Sequence, residues 1–202
     1  MALYRDHVLP CFTHLAMSNR RLIEYRRRMV SQARGRVLEI GIGSGLNLRF
    51  YGGQVASVYG IDPSAGLLRR AGRQPAPGAE LVEASAEIIP FDKDVFDTVV
   101  TTWTLCTIPQ VIPALREMRR VLRPDGRLLF VEHGLAPDRG VAWWQHRLTP
   151  CWKYLGGGCH LNRKIDDLIT AAGFHIEELD IGYMQRQNPF AFMYEGVARP
   201  AN

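Results

Sequence analysis

Two rhythms of apolar and polar positions run along this chain. Over residues 13–33, Leu15, Leu22, Ile23, Met29 and Val30 fall near one helical stripe with arginines between them, which predicts an amphipathic helix. The run over 36–41 (Arg-Val-Leu-Glu-Ile-Gly) is different, being nearly continuous in apolar residues, as in a strand buried on both faces of a parallel sheet. Further strands are predicted over 55–61, 80–83, 96–101 and 127–132, and helices over 46–51, 65–72, 111–122 and 163–172. Turn chemistry separates them: Gly52-Gly53, a loop over 74–78 (Gln-Pro-Ala-Pro-Gly), and Arg123-Pro124-Asp125-Gly126. A terminal strand pair is predicted over 174–181 and 190–198. Strands alternating with helices at this pitch imply a parallel, doubly wound α/β sheet.

No linker divides the chain, so a single domain is expected over 1–202, with a helical cap over 1–34. Residues 135–162 break the rhythm. They carry Trp143, Trp144, Trp152 and Tyr154, then Gly156-Gly157-Gly158-Cys159-His160. Following the end of a strand, this lid-like insertion reads either as a lid or substrate wall, or as aromatic packing of an irregular connection.

Composition narrows the class. At 202 residues, with 47% apolar and 22% charged residues, the chain has the make-up of an ordinary globular domain. No apolar run reaches the roughly 18 residues of a membrane span, and residues 1–10 lack the apolar core of a signal peptide, so a cytoplasmic location is expected. The net charge of +5 is concentrated early, in Arg20, Arg21, Arg26, Arg27, Arg28, Arg34 and Arg36. That cluster reads first as the solvated face of a helix and second as a surface for nucleic acid or anionic lipid. The cysteines (Cys11, Cys106, Cys151, Cys159) form no Cys-x-x-Cys pair and are expected reduced. Cys159 and His160 alone are too close in sequence to make a metal site, so none is expected.

The chemistry centres on Glu39-Ile40-Gly41-Ile42-Gly43-Ser44-Gly45-Leu46. Glycines turn a buried strand into a helix N-terminus, a place where backbone N–H groups meet a ligand. Dinucleotides and other adenosine ligands share such a turn. The dinucleotide pattern Gly-x-Gly-x-x-Gly needs a small residue where this chain has Leu46. Glu39 would repel a pyrophosphate and attract a cation. Asp62 lies about 17 residues past Gly45, near the spacing at which an acid meets a ribose diol.

On these residues the chain resembles the class I S-adenosylmethionine-dependent methyltransferases. Glu39 through Gly45 looks like their E/D-x-G-x-G-x-G motif, and the order of motifs is similar over about 36–133. Ser18-Asn19-Arg20-Arg21-Leu22, Thr104-Leu105-Cys106, Phe130-Val131-Glu132-His133 and Gly158-Cys159-His160-Leu161-Asn162-Arg163 narrow the resemblance to the methyltransferase-like group that includes thiol S-methyltransferases. It implies a Rossmann-like sandwich with a seven-stranded, mostly parallel sheet and an antiparallel terminal strand. It implies S-adenosylmethionine as cofactor and a small-molecule methyl acceptor, with a thiol as first choice. Quinones, phenols and lipid amines remain alternatives, with RNA methylation or NAD-dependent dehydrogenation behind them. Those relatives carry an N-terminal membrane anchor without counterpart in residues 1–10, and contact with a membrane surface stays open. No nucleic-acid partner is expected, and nothing in the sequence reports the oligomeric state.

The resemblance implies cofactor contacts at Glu39, Gly41, Gly43, Gly45, Asp62, Pro63, Ser85, Ala86, Glu87 and Thr102. Asp62 would bind the ribose hydroxyls and Glu39 would lie beneath the ammonium group, while Glu87 would contact adenine or cap a turn. His133 ends the fifth strand, where catalytic groups of such sheets gather. It is a candidate proton acceptor or a packing residue, and Cys106 a candidate for chemistry or for the pocket wall. Trp103, Trp143, Trp144, Cys159 and His160 are candidate substrate contacts.

Overall fold

In a computed structural model the chain is described over residues 9–74, 79–184 and 186–201, which leaves most of the predicted 74–78 loop outside the description. Seven strands form one sheet: β1 (Gly35–Ile40), β2 (Val55–Asp62), β3 (Ala79–Glu83), β4 (Phe96–Thr102), β5 (Leu122–His133), β6 (Phe174–Tyr183) and β7 (Phe192–Pro200). Their order is β3-β2-β1-β4-β5-β7-β6. β7 runs antiparallel to both neighbours, and the pairs β1–β2, β2–β3, β1–β4 and β4–β5 are parallel. Among the described residues six α-helices accompany them: α1 (Leu9–Met17), α2 (Arg20–Val30), α3 (Ala65–Ala71), α4 (Val111–Val121), α5 (Arg139–Leu155) and α6 (Ile165–Ala171).

Strand alternation explains why the central strands look uniformly apolar. Leu128 and Phe130 of β5 pack with Leu115 and Met118 of α4 and Ile165 and Ile169 of α6. The intervening Leu129 and Val131 face Met29 and Val30 of α2 on the opposite side. Both faces are covered, so every position of the strand is paid in apolar area, at about 25 cal/mol per Å² removed from water. Glu39 of β1 lies between Leu38 and Ile40 and is fully buried all the same. A buried carboxylate amid a core needs a reason, which the cleft supplies.

Several local expectations change. The helix expected over 13–33 is two helices, because the Asn19 side chain accepts the Arg21 N–H at 3.1 Å and starts α2 afresh. The helix expected over 46–51 shrinks to one 3-10 turn, Leu48–Phe50. The Arg123–Gly126 turn lies within β5 as a bulged excursion, with Leu122 paired to Phe96 and Arg127 to Thr98.

The largest change concerns 135–162. This segment is mainly α5, a 17-residue helix that contains Pro150. Its inner face runs Val141, Gln145, Leu148, Thr149, Trp152, at helical spacing. Gln145 is wholly buried and stitches three segments together. Its Nε2 donates to the carbonyls of Gly134 (2.9 Å) and Pro189 (3.0 Å), and its Oε1 accepts the Ala136 N–H at 2.9 Å. No helix among the described residues is long and apolar enough to cross a membrane.

Candidate active site

The carboxyl ends of β1, β2, β4 and β5 open into one cleft of about 1540 Å³. It lies where strand order reverses between β1 and β4, the usual ligand position in a doubly wound sheet. The three glycines of the first turn all have positive φ, yet they serve different ends. A Cβ on Gly41 would come within 2.5 Å of the Thr104 side chain, and one on Gly45 within 2.9 Å of Leu48 and 3.1 Å of Ala71. Those two glycines allow packing. A Cβ on Gly43 would meet only the Gly41 carbonyl, at 3.8 Å. The space above Gly43 belongs to the cleft, which leaves its backbone open to a ligand.

Asp62, at the end of β2, is aimed by that same turn. Its Oδ2 accepts the Gly43 N–H at 3.0 Å and its Oδ1 the Ser64 N–H at 2.8 Å. Each oxygen keeps a lone pair for a ligand hydroxyl. Burial raises the Asp62 carboxyl above its ordinary value against the pull of these backbone donors.

Among the described residues Glu39 is held by neutral donors only. Tyr51 OH donates to Oε2 at 2.7 Å and Asn47 Nδ2 to Oε1 at 2.8 Å. The same Asn47 nitrogen reaches Thr102 Oγ1 at 3.0 Å, and Asn47 Oδ1 accepts from Arg26 Nη1 at 3.0 Å. Burial pushes the Glu39 carboxyl up to about 7 and draws the Arg26 guanidinium down to about 10. Arg26 also stacks over Trp103, 4.6 Å from the ring centre. Trp103 itself has φ of 51°, the left-handed region that a bulky residue occupies only under constraint.

At the other end of the cleft three side chains converge: Cys106 after β4, His133 closing β5, and Cys159 after α5. The two sulfurs and one ring nitrogen all lie within 4.8 Å of one another, and all three residues are buried. His133 Nε2 is 3.5 Å from Cys159 Sγ. Cys106 Sγ donates to the Trp103 carbonyl at 3.6 Å. The adjacent Cys106 thiol, with His133 beside it, lowers Cys159, and the adjacent Cys159 together with burial raises Cys106.

Most predicted residues reach the cleft. Glu39, Gly41, Gly43, Asp62, Pro63, Ser85, Ala86, Thr102, Trp103, Cys106, His133 and Cys159 line it. Gly45 lies outside the lining, packed on Leu48 and Ala71. Glu87 also lies outside it, turned to the N-terminal end of α4, where its Oε1 accepts the Gln110 N–H at 2.7 Å. Trp143 and Trp144 are a correction: both are about half exposed on the outer face of α5, packed edge to face on each other at 4.8 Å. Trp152, on the inner face, takes the wall position instead. His160 stays out of the lining as well, its N–H donating to the Cys106 carbonyl at 2.8 Å and its Nδ1 lying 3.1 Å from that oxygen. Asn47 was not singled out from sequence, and Arg26, read there within a solvated arginine face, is instead buried against Asn47 and Trp103. The one signal was an asparagine just past the glycine turn.

Comparison with known proteins agrees with this geometry. A family profile described as a methyltransferase domain matches residues 38–130. The human thiol S-methyltransferase TMT1B is 32% identical over 188 residues, covering 85% of this chain and 74% of the relative. The chain belongs to the class I S-adenosylmethionine-dependent methyltransferases. It spans 62% of the rat and mouse proteins of the TMT1B name. The phosphatidylethanolamine N-methyltransferase of Cereibacter sphaeroides is 39% identical over 111 residues, 52% of this chain and 54% of that one. In structure, the YcgJ protein of Bacillus subtilis superposes with a TM-score of 0.71 at 17% identity, over 89% of this chain and 99% of the other.

S-adenosylmethionine is therefore the cofactor of this methyltransferase, and the cleft fits it. Glu39 is a buried carboxylate whose oxygens meet no cation among the described residues, and a cationic ligand would complete it. The open space over Gly43, beside an Asp62 with free lone pairs, suits a ribose laid against backbone.

Proposed function

We propose that this enzyme transfers a methyl group to the sulfur of a small thiol. The carrying observation is the ionisable content of the acceptor end, where Cys106, His133 and Cys159 form the inner wall and Lys153 and Tyr154 stand exposed at the mouth. A thiol ionises near pH 8.5, whereas phenols and amines need about pH 10. An imidazole is base enough for the first and poor for the others. The human relative's name supports the same reading.

In this reading Asp62 binds both ribose hydroxyls, and Glu39, held by Asn47 and Tyr51, faces the ammonium group. Ser85 and Ala86 line the adenine. Bound S-adenosylmethionine supplies an electrophilic methyl on a sulfonium. The protein's work is then alignment and exclusion of water, with reacting atoms held about 3 Å apart. Arg26, stacked on Trp103 and bonded to the Met17 carbonyl at 3.1 Å, ties α1 and α2 over the cofactor end. The His14 ring reaches Ser44 Oγ at 2.7 Å and closes α1 onto the glycine turn.

A screen of labelled methyl transfer to thiols, phenols, quinones and phosphatidylethanolamine vesicles tests the acceptor. Transfer to thiols at least tenfold above the rest is expected. Transfer to the lipid amine alone would replace the thiol reading with that of the Cereibacter relative.

A further inference from the structure

We propose that Cys106, His133 and Cys159 bind one zinc ion at the acceptor end of the cleft, leaving a fourth coordination position open to the substrate. The residues are far apart in sequence and come from three elements, yet their ligand atoms lie within 4.8 Å of one another. Tetrahedral zinc, with bonds of about 2.3 Å to sulfur and about 2.0 Å to nitrogen, sets sulfur–nitrogen edges of about 3.5 Å. The observed His133 Nε2 to Cys159 Sγ separation is 3.5 Å. Both cysteines are free thiols.

The donor set selects the metal. Two thiolates and an imidazole are soft and borderline ligands that favour zinc over magnesium or calcium. Three protein ligands beside a cavity are the pattern of a catalytic zinc, whereas structural sites close all four positions. All three residues line the cleft, so the vacant position faces the space where an acceptor enters. The supporting scaffold is already in place. His160 binds the Cys106 carbonyl and so ties the two cysteine loops together, and the Arg163 guanidinium donates to the neighbouring Leu105 carbonyl. Gly158, with φ of 96°, makes the turn that delivers Cys159.

The site deepens the thiol reading and rests on it for its use, the metal taking over from a free His133 imidazole the task of making the thiolate. A thiol entering the fourth position releases its proton to water and keeps its sulfur on the metal as a thiolate. Its electron pair forms the new sulfur–carbon bond while the methyl–sulfonium bond breaks, that pair returning to the cofactor's sulfur. The thioether product is a weaker ligand and departs.

The test uses the full chain, stripped with chelator, reconstituted with zinc sulfate and analysed by elemental mass spectrometry. Cobalt(II) replaces zinc for spectroscopy, with 2-mercaptoethanol as thiol probe. About one zinc per chain is expected, with thiolate-to-cobalt charge-transfer bands that shift when the thiol is added. Cys159→Ser and Cys106→Ser should each weaken zinc by at least about tenfold, while S-adenosylmethionine affinity by calorimetry stays within twofold. Trp144→Phe should leave zinc binding and turnover unchanged. Less than a tenth of an equivalent of zinc after reconstitution would overturn the proposal, as would unchanged zinc in both serine variants. A Cys106–Cys159 disulfide formed in the presence of zinc, seen as the loss of two hydrogens in the intact mass, would overturn it too. If zinc binds as expected but only a phenol or amine is methylated, the site stands and the thiol reading falls.

Discussion

Glu39→Gln offers the sharpest probe of the cofactor end. Burial raises the Glu39 carboxyl from 4.5 to about 7, in spite of the Tyr51 and Asn47 donors and the nearby Arg26 charge. Between those two values the folded protein holds a proton that the unfolded chain has lost. Stability from this group is therefore fully present below about pH 4.5, is lost as pH rises to about 7, and stays lost above it. At about 1.36 kcal/mol per pH unit the ceiling is ~3 kcal/mol. Glu132, buried with its carboxyl also raised to about 7, adds a slope of the same sign, so only the difference between variant and wild type isolates Glu39. Urea denaturation of the cofactor-free protein at pH 5, 6, 7 and 8 measures it. Relative to wild type, Glu39→Gln should gain up to about 3 kcal/mol between pH 5 and pH 8. Cofactor affinity should show the opposite trend in wild type, because a bound ammonium favours the ionised carboxylate. Affinity is then full above about pH 7 and falls by up to about tenfold per unit below it, while the variant binds weakly with no such slope. An unchanged stability difference across pH 5 to 8, together with parallel binding curves, would refute the assignment.

Five further substitutions separate roles within the cleft and its frame. Gly43→Ala should weaken cofactor binding at least tenfold in calorimetry while costing only about 1 kcal/mol of stability for the positive φ; Gly45→Ala, which drives a Cβ into Leu48 and Ala71, should show the reverse balance, with the larger effect in urea unfolding. Trp152→Ala should raise the acceptor KM several-fold with cofactor affinity intact, whereas Trp144→Ala, half exposed on the far face of α5, should leave both within twofold. Arg28→Ala removes a bidentate pair with Glu195 at 3.0 and 2.6 Å and should cost about 1 kcal/mol in thermal unfolding, discounted because the arginine is half exposed.

The end of the cleft lined by Glu39, Gly43 and Asp62 was legible because those residues lie close together in sequence. One strand, one turn and the end of the next strand supply Glu39, Gly43 and Asp62, and each must be that residue type for a reason visible in the sequence. The sheet was legible for the same cause, since strands buried on both faces leave long apolar runs. α5 was not. Its inner face carries Gln145 and Thr149, buried polar residues whose hydrogen bonds run to Gly134, Pro189 and the helix itself, so the apolar stripe is interrupted where packing is tightest. The tryptophans most conspicuous in the sequence, Trp143 and Trp144, lie on its outer face, and conspicuousness misled. Asn47 escaped notice because a single amide between Glu39, Thr102 and Arg26 has no spacing signature.

The acceptor half shows the limit of neighbour-based reading most clearly. Cys159 was weighed for metal with His160, its neighbour in sequence, and that pair makes no site. The fold pairs Cys159 instead with Cys106, 53 positions earlier, and with His133 at the end of β5. That meeting depends on β4 and β5 being adjacent and parallel, so that their carboxyl ends deliver Cys106 and His133 to one edge. It also depends on α5 returning across that edge, so that the Gly156–Gly158 turn can lower Cys159 onto it. The turn's placement follows from the Gln145 stitches that bind α5 to the segment after β5. A Gln145→Leu variant would keep the helix apolar yet leave three backbone groups unpaired, and each buried loss costs about 1–3 kcal/mol. If α5 positions Cys159, such a variant that still folds should lose zinc affinity and acceptor turnover together while holding S-adenosylmethionine normally. Equal loss of cofactor binding would show instead that α5 supports the whole cleft and sets no geometry of its own.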